Sequence, residues 1–319
     1  MSRQARTGRA ARSIAAAIAL GLLAFGPGAL AQGSGGLNKH PMPTRDQPGP
    51  GQAGHAGGAS AKIRYHNGPI MLGTTNAYVI WYGDWSGSQT PALVEQFLGR
   101  DIGGSPYFNI NTSYTDATGI RVTNAVRLVG SIRVGYPKGT TLSDGNVQEV
   151  VADAVTSGAL PTWTPTGITP SKVPDPNGLY FVLTSKDVGE SSGFLTQYCG
   201  WHDFGAVAGI DTKYAFVGDA SKNLSVCAGQ TAASPNTNPA GDAMISVIAH
   251  ELEEAVTDPD LSAWYDPVGN ENADKCAWNY GAMSTLANGA RYNMTMNGRR
   301  YLIQQNWLNV GNGACAQSY

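Results

Sequence analysis

Charge is scarce in this 319-residue chain, where 21 basic and 23 acidic side chains make up 14% of the sequence, against roughly 25% in an ordinary soluble domain. That scarcity excludes a coiled coil and a charged helical bundle, whose outer faces carry regular ion pairs. A basic surplus is missing too. With a formal charge of -2 and a pI near 6.2, the chain lacks the electrostatic drive that nucleic-acid binding needs, and nucleic acid is excluded as a general partner. The sequence contains no G-x-S-x-G elbow, no G-x-x-x-x-G-K-[ST] loop and no G-x-G-x-x-G after a strand, so serine hydrolases, nucleotide hydrolases and dinucleotide enzymes lack their mechanical parts. Beyond residue 31 no apolar run is long enough to span a bilayer, so stable membrane insertion is not expected.

What is present begins with an export pattern. Arg3, Arg6, Arg9 and Arg12 precede a nearly unbroken apolar or small stretch from Ile14 to Leu30, and Ala29-Leu30-Ala31 supplies the small-x-small pattern of a cleavage site. Residues 1–31 are therefore expected to be a signal peptide, which places the mature chain outside the cytoplasm, secreted or periplasmic. The 17 basic and 23 acidic residues left after cleavage make it mildly acidic. Residues 32–61 are mostly Gly, Pro, Ala, Gln and Ser without apolar periodicity, and are expected to be a flexible linker in which His40 and His55 are solvated rather than ligating. Four cysteines, Cys199, Cys227, Cys276 and Cys315, lie in the C-terminal half with no C-x-x-C spacing. An even number in an exported chain implies disulfides, for which three connectivities exist.

Residues 62–319 read as one folded domain. Asn76–Tyr82, Leu179–Thr184 and Tyr214–Val217 have the composition of buried strands, and Ile120–Val134 reads as two β-rich runs. Thr90–Leu98 and Leu142–Ser157 read as helices, the second with Ser143 as its cap. Strands and helices alternate irregularly without an internal repeat, so the expected fold is α+β or α/β with a mixed sheet. The aromatic run Trp81, Tyr82 and Trp85 is either a carbohydrate platform or plain core, and alternation along the strand favours core. His66, followed by Gly68-Pro69, reads as part of a turn.

The chemistry concentrates between Gly241 and Tyr265. Asp242 can cap a helix there and Pro259 can end it, while Met244, Val247, Ile248, Leu252 and Ala255 make one apolar face. On that helix His250 and Glu254 stand four apart and project side by side, as two ligands of one metal must. Glu251 follows the histidine directly, the position of the general base in H-E-x-x-H metallopeptidases, although Glu254 replaces the second histidine. Eight of the 23 acids fall between Glu251 and Asp274, a density that a solvated helix face or a calcium loop also explains. Among the acids the third ligand is expected from Asp258, Asp260, Asp266 or Glu271, with Asp260 and Glu271 ranked level.

Several stretches together resemble a known family. His66–Gly73 (H-N-G-P-I-M-L-G), Val79–Trp85 (V-I-W-Y-G-D-W), Tyr180–Val188 (Y-F-V-L-T-S-K-D-V), Cys199–His202 (C-G-W-H), Tyr214–Asp219 (Y-A-F-V-G-D), Ala249–Leu252 (A-H-E-L) and Asn297–Leu302 (N-G-R-R-Y-L) occur in the order found in the EXORDIUM-like, or phosphate-induced protein 1, family of secreted plant cell-wall proteins, which has bacterial members. The resemblance implies extracellular action linked to growth and cell-wall signalling, and His202, His250 and Glu271 as shared positions. His202, beside Cys199, thereby joins the candidates for the third ligand, on an equal footing with a buried ring donating to a backbone carbonyl. Together with sequence order the resemblance favours pairing Cys199 with Cys227 and Cys276 with Cys315.

The leading expectation is a secreted metal-dependent hydrolase with a zincin-like core. In it zinc, held by His250, Glu254 and a third ligand, activates water with Glu251 as base, and an extracellular peptide or a cell-wall component is the substrate. The alternative is a non-enzymatic extracellular protein of the EXORDIUM type with a structural calcium site or no metal.

Overall fold

A strand that is apolar at every position is stable only when both of its faces are covered, and two such runs lie at the centre of a six-stranded mixed sheet. In chain order the strands are β1 (His40–Pro43), β2 (Thr75–Tyr82), β3 (Val126–Val134), β4 (Gly178–Thr184), β5 (Tyr198–Val207) and β6 (Ile210–Gly218), and their spatial order is β1-β5-β6-β4-β2-β3. β3, β2, β4 and β6 run parallel, β5 is antiparallel to β6, and β1 is antiparallel to β5. This computed structural model describes Met1 and residues 39–46, 62–164, 167–170 and 172–319. The signal segment expected over residues 2–31, and His55, lie outside the described residues.

Three helices cover the sheet: α1 (Thr90–Gln96), α2 (Asp144–Thr156) and α3 (Pro239–Thr257). Alternation along β2 divides the core between the two faces. Tyr78, Ile80 and Tyr82 pack with Val147, Val150 and Val151 of α2, while Val79 and Trp81 pack with Val94 of α1 and Ile245, Ile248 and Leu252 of α3. Trp81, Tyr82 and Trp85 are all buried, so the aromatic run is core. α2 begins with the cap expected of Ser143, whose side chain accepts from the Asn146 amide in a reciprocal capping box.

Four expectations need correction. Ile120–Val134 holds one strand rather than two, because Asp116 accepts amides from Thr118 and Ile120 and folds residues 116–120 into a turn that leaves Ile120 exposed. α1 is shorter than expected and runs on into a π turn over Phe97–Asp101. α3 is capped by Asn238, whose side chain accepts from the Gly241 amide, while Asp242 lies inside the first turn and accepts from Asn236. The largest difference is β1. It lies within residues 32–61, where composition predicts a linker, yet Met42 and Thr44 are fully buried.

The apolar face expected of α3 packs on the core, and the burial goes further than that pattern alone requires, since every residue from Gly241 to Thr257 is buried. The sheet covers its apolar face, and the loops and short hairpins of residues 258–319 cover the rest. The two disulfides pair as expected, Cys199 with Cys227 and Cys276 with Cys315. The chain from Leu37 to Tyr319 forms one compact unit, and no helix among the described residues is long and apolar enough to cross a membrane.

Candidate metal centre

Because α3 is buried all round, its polar residues cannot be a solvated face. His250, Glu251 and Glu254 are inaccessible to solvent, and an ionised side chain in such a place needs a charged or hydrogen-bonding partner. Their partners come from three other parts of the chain. β5 contributes His202, β1 contributes His40 opposite it in the strand register, and the loop after α3 contributes Glu271 and Asp274.

His250 Nε2 lies 3.0 Å from Glu254 Oε1, as the spacing of four predicts, and 3.5 Å from Asp274 Oδ1. His202 Nδ1 lies 3.4 Å from Glu251 Oε2 and 3.5 Å from Glu254 Oε2, and its Nε2 is 3.6 Å from Glu271 Oε2. His40 bridges the loop carboxylates, with Nδ1 2.8 Å from Glu271 Oε2 and Nε2 3.0 Å from Asp274 Oδ2. Three sets of donors result, each with all its ligand atoms within 4.8 Å of one another: His250 with Glu254 and Asp274, His202 with Glu251 and Glu254, and His40 with Glu254 and Glu271. Glu254 belongs to all three. Four ligands around zinc at about 2.0–2.1 Å stand roughly 3.3 Å apart, close to the separations seen here.

Outside the donor sets, Gln304 Nε2 lies 3.0 Å from His250 Nδ1 and donates to the Ala273 carbonyl at 2.9 Å, holding the imidazole with Nε2 toward Glu254. The Asp274 amide donates to Glu254 Oε1 at 3.1 Å. Nevertheless His202 Nδ1 and Nε2, His250 Nε2, both Glu251 oxygens, Glu254 Oε2 and Glu271 Oε1 are buried without a hydrogen-bond partner among the described residues. Orphaned polar atoms are ordinarily few and scattered. Here seven of them belong to one cluster.

The charge balance explains what that cluster demands. Burial lifts the Glu251 carboxyl to about 6, although His202 and His250 oppose the shift. Burial, with Glu254 and Asp258 nearby, lifts Glu271 well above the carboxylate range. Burial also raises Glu254, but the two imidazoles outweigh it and hold this carboxyl below its ordinary value. For His202 burial disfavours the cation, yet Glu251 and Glu254 overcome it and move the ring up to about 10. His250 is raised for the same reason, chiefly by Glu254. The cluster therefore attracts positive charge, which either protons on the imidazoles or a bound cation can supply.

Of the residues singled out in the sequence, His250, Glu251, Glu254, His202 and Glu271 come together. Asp260 does not: it pairs with Lys213 at 2.5 Å, because Pro259 turns the chain away from the cluster. Asp266 accepts from the amides of Val268 and Asn270 and shapes its own loop. Asp258 Oδ1 accepts from the Ser262 and Ala263 amides. The backbone-carbonyl reading of His202 fails, since both ring nitrogens face carboxylates. His66 stacks on Tyr265 with ring centroids 3.7 Å apart, a structural role. Sequence reasoning missed His40 as a donor, and it counted Asp274 in the acidic cluster without naming it as a third ligand. The signal for His40 was there: Pro41 and Pro43 bracket Met42 in an alternating, extended pattern.

Gly200 sets the distance between β5 and α3. A Cβ at this position would lie 2.6 Å from Val247 Cγ1, 2.9 Å from the Phe216 carbonyl oxygen and 3.1 Å from Glu251 Oε1. Gly200→Ala is expected to cost about 1–3 kcal/mol through overpacking against backbone. Gly205→Ala on the same strand would meet the Gln148 side-chain amide at 2.4 Å, a flexible end that can move, and should stay within about 0.5 kcal/mol. Urea melts of the two variants decide, and equal costs would show that the approach of β5 to α3 is not tight.

Residues 63–317 match the sequence model of the phosphate-induced protein 1 conserved region. The chain belongs to the phosphate-induced protein 1 family. It is similar to Protein EXORDIUM-like 3 of Arabidopsis thaliana, 35% identical over 284 residues that cover 78% of this chain and 81% of that one. Protein EXORDIUM-like 5 is 32% identical over 77% of this chain and 75% of its own length, and Protein EXORDIUM 24% over 76% and 84%. No solved structure matches the chain. Membership bears out the resemblance read from the motifs, and it names no chemistry.

Proposed function

We propose that this EXORDIUM-like protein acts outside the cytoplasm as a non-enzymatic, metal-stabilised protein, whose buried histidine–carboxylate cluster holds a divalent ion of the zinc type. The observation that carries this is the sharing of Glu254 by three histidine-containing donor sets, around polar atoms that have no hydrogen bond among the described residues. Imidazole nitrogens among the donors favour zinc over calcium, which prefers an all-oxygen shell. The depth of the inner donors supports a structural ion, because a catalytic zinc keeps one position open to water and substrate whereas His202, His250, Glu251 and Glu254 are all fully buried. Export is supported by the N-terminal leader pattern and by the two disulfides.

A zincin-like hydrolase remains the second reading, favoured by one observation. Glu251 follows the proposed ligand His250, is buried, and has its carboxyl raised to about 6 with neither oxygen hydrogen-bonded among the described residues, which is how a general base is tuned. An extracellular peptide or cell-wall component would then be its substrate. Metal analysis by mass spectrometry of the full chain, purified without chelator, is expected to give zinc in near-stoichiometric amount. Calcium alone, or no metal, overturns the zinc reading. Wild type and Glu251→Gln should be indistinguishable across a peptide library, and cleavage lost about 10²- to 10⁴-fold in Glu251→Gln would establish the hydrolase instead.

A further inference from the structure

We infer that the outer edge of β5 is a binding site for an extended polypeptide segment with a histidine opposite His202, and that β1 is the resident occupant of that site. The inference goes beyond the metal reading and does not need it, since backbone pairing and side-chain pockets carry it. β2 to β6 all lie within residues 62–319, whereas β1 comes from the sequence before residue 47 and touches the sheet only along β5. An extended segment added antiparallel to a free sheet edge is the geometry of peptide recognition by strand addition. Pro41 and Pro43 have no amide hydrogen, which leaves His40 and Met42 as the donors toward β5. The opposite edge of the segment can accept no further strand in full register.

The side chains are read as strictly as the backbone. Residues two apart in a strand share a face, and His40 and Met42 both enter the protein. His40 meets Glu271 and Asp274, and Met42 is fully buried in the core beside α3. The flanks are basic and find acceptors: Lys39 Nζ donates to Asp144 Oδ1 at 2.8 Å, and Arg45 Nη1 donates to the Ala228 carbonyl at 2.8 Å. Trp278 Nε1 donates to the Pro43 carbonyl at 3.0 Å. A ligand of this site is thus an extended, basic-flanked segment with an imidazole and, two residues on, an unbranched apolar side chain. A cavity of about 200 Å³ bordered by Lys39, His40, Asp258 and Glu271 already reaches the outer side of the cluster, so departure of β1 would widen it and uncover Glu254 and Glu271.

The test uses the full chain with a site-specific protease sequence inserted between Gly51 and Gln52, cleaved only after folding. The released N-terminal fragment is expected to co-elute with the remainder and to exchange for a fluorescent synthetic peptide of residues Lys39–Asp46. Unlabelled competitor peptides carrying His40→Ala or Met42→Ala should compete about tenfold or more weakly than the native sequence. Loss of cooperative melting on cleavage, or a fragment that added peptide cannot exchange, would make β1 an integral strand and overturn the inference. Equal competition by both altered peptides and by a scrambled one would overturn it as well.

Discussion

His250→Ala is expected to abolish the zinc binding proposed for the cluster and to destabilise the chain by about 3–5 kcal/mol, the cost of breaking a buried charge constellation by removing one partner. For a domain of this size each kcal/mol corresponds to roughly 2–4 °C, so the melting temperature should fall by about 6–20 °C. The magnitude follows from burial. Glu254 and Asp274 now face His250 Nε2 at 3.0 and 3.5 Å, and without imidazole or ion the Glu254 carboxylate has no water to turn to. Chelation of the wild type should reproduce most of the shift, and chelation of His250→Ala should add nothing, because a ligand that binds only the folded state stabilises it by mass action. Asp260→Asn, which alters an acid paired with Lys213 outside the cluster, is the control and should leave metal content unchanged. The sign of the pH dependence is fixed too. Ion binding requires neutral imidazoles, and His202 in the metal-free cluster is raised to about 10 by Glu251 and Glu254 despite burial. Zinc affinity should therefore rise with pH across the neutral range and fall steeply in acid as the ion loses to protons. A wild-type melting curve indifferent to chelator would remove the metal centre.

The elements legible in the sequence were those whose physics is local. β2 and β4 are apolar at consecutive positions, α2 carries its own cap, and the four-residue spacing of His250 and Glu254 is a property of the helix alone. Partners supplied by long-range topology were less legible. Asp260 is only ten residues from His250, but Pro259 sends it to Lys213 on β6, while Asp274, twenty-four residues away, returns to within 3.5 Å of the imidazole. His40 was hidden by composition, because the prolines and glycines around it that argue against a folded core also describe a terminal edge strand. The solvated face that the acid density of α3 also allowed fails for a related reason. A helix of moderate amphipathicity reads as half-exposed, and nothing local in Glu253 reveals that Asn306 and Asn111 are waiting on the other side. There burial lifts the Glu253 carboxyl to about 8, a group distinct from the cluster and turned toward the C-terminal hairpins.

Removing the Cys199–Cys227 disulfide by the paired substitution Cys199→Ala and Cys227→Ala is expected to cost about 3–4 kcal/mol, on the chain-entropy account of a link spanning 28 residues. Its local effect should be as informative as its size. Cys199 is followed by Gly200, which pairs with Met42 of β1, and the neighbours of Cys227 hold the exit of the same strand. The Arg45 amide donates to the Val226 carbonyl at 2.9 Å and the Arg45 guanidinium to the Ala228 carbonyl. Once that anchor is loosened, amide exchange at Met42 should accelerate well beyond what global destabilisation accounts for, while amides in β2 and β4 follow the global change. Breaking Cys276–Cys315, which spans 39 residues, should cost a similar amount through the same entropy, yet act elsewhere. It frees the turn Asp274–Cys276, so it should weaken zinc binding through Asp274 and leave Met42 exchange on the global curve. Hydrogen-exchange mass spectrometry read alongside metal content separates the two. If both pairs of substitutions altered Met42 and zinc alike, the disulfides would be general braces, and the cluster would draw its order from α3 alone.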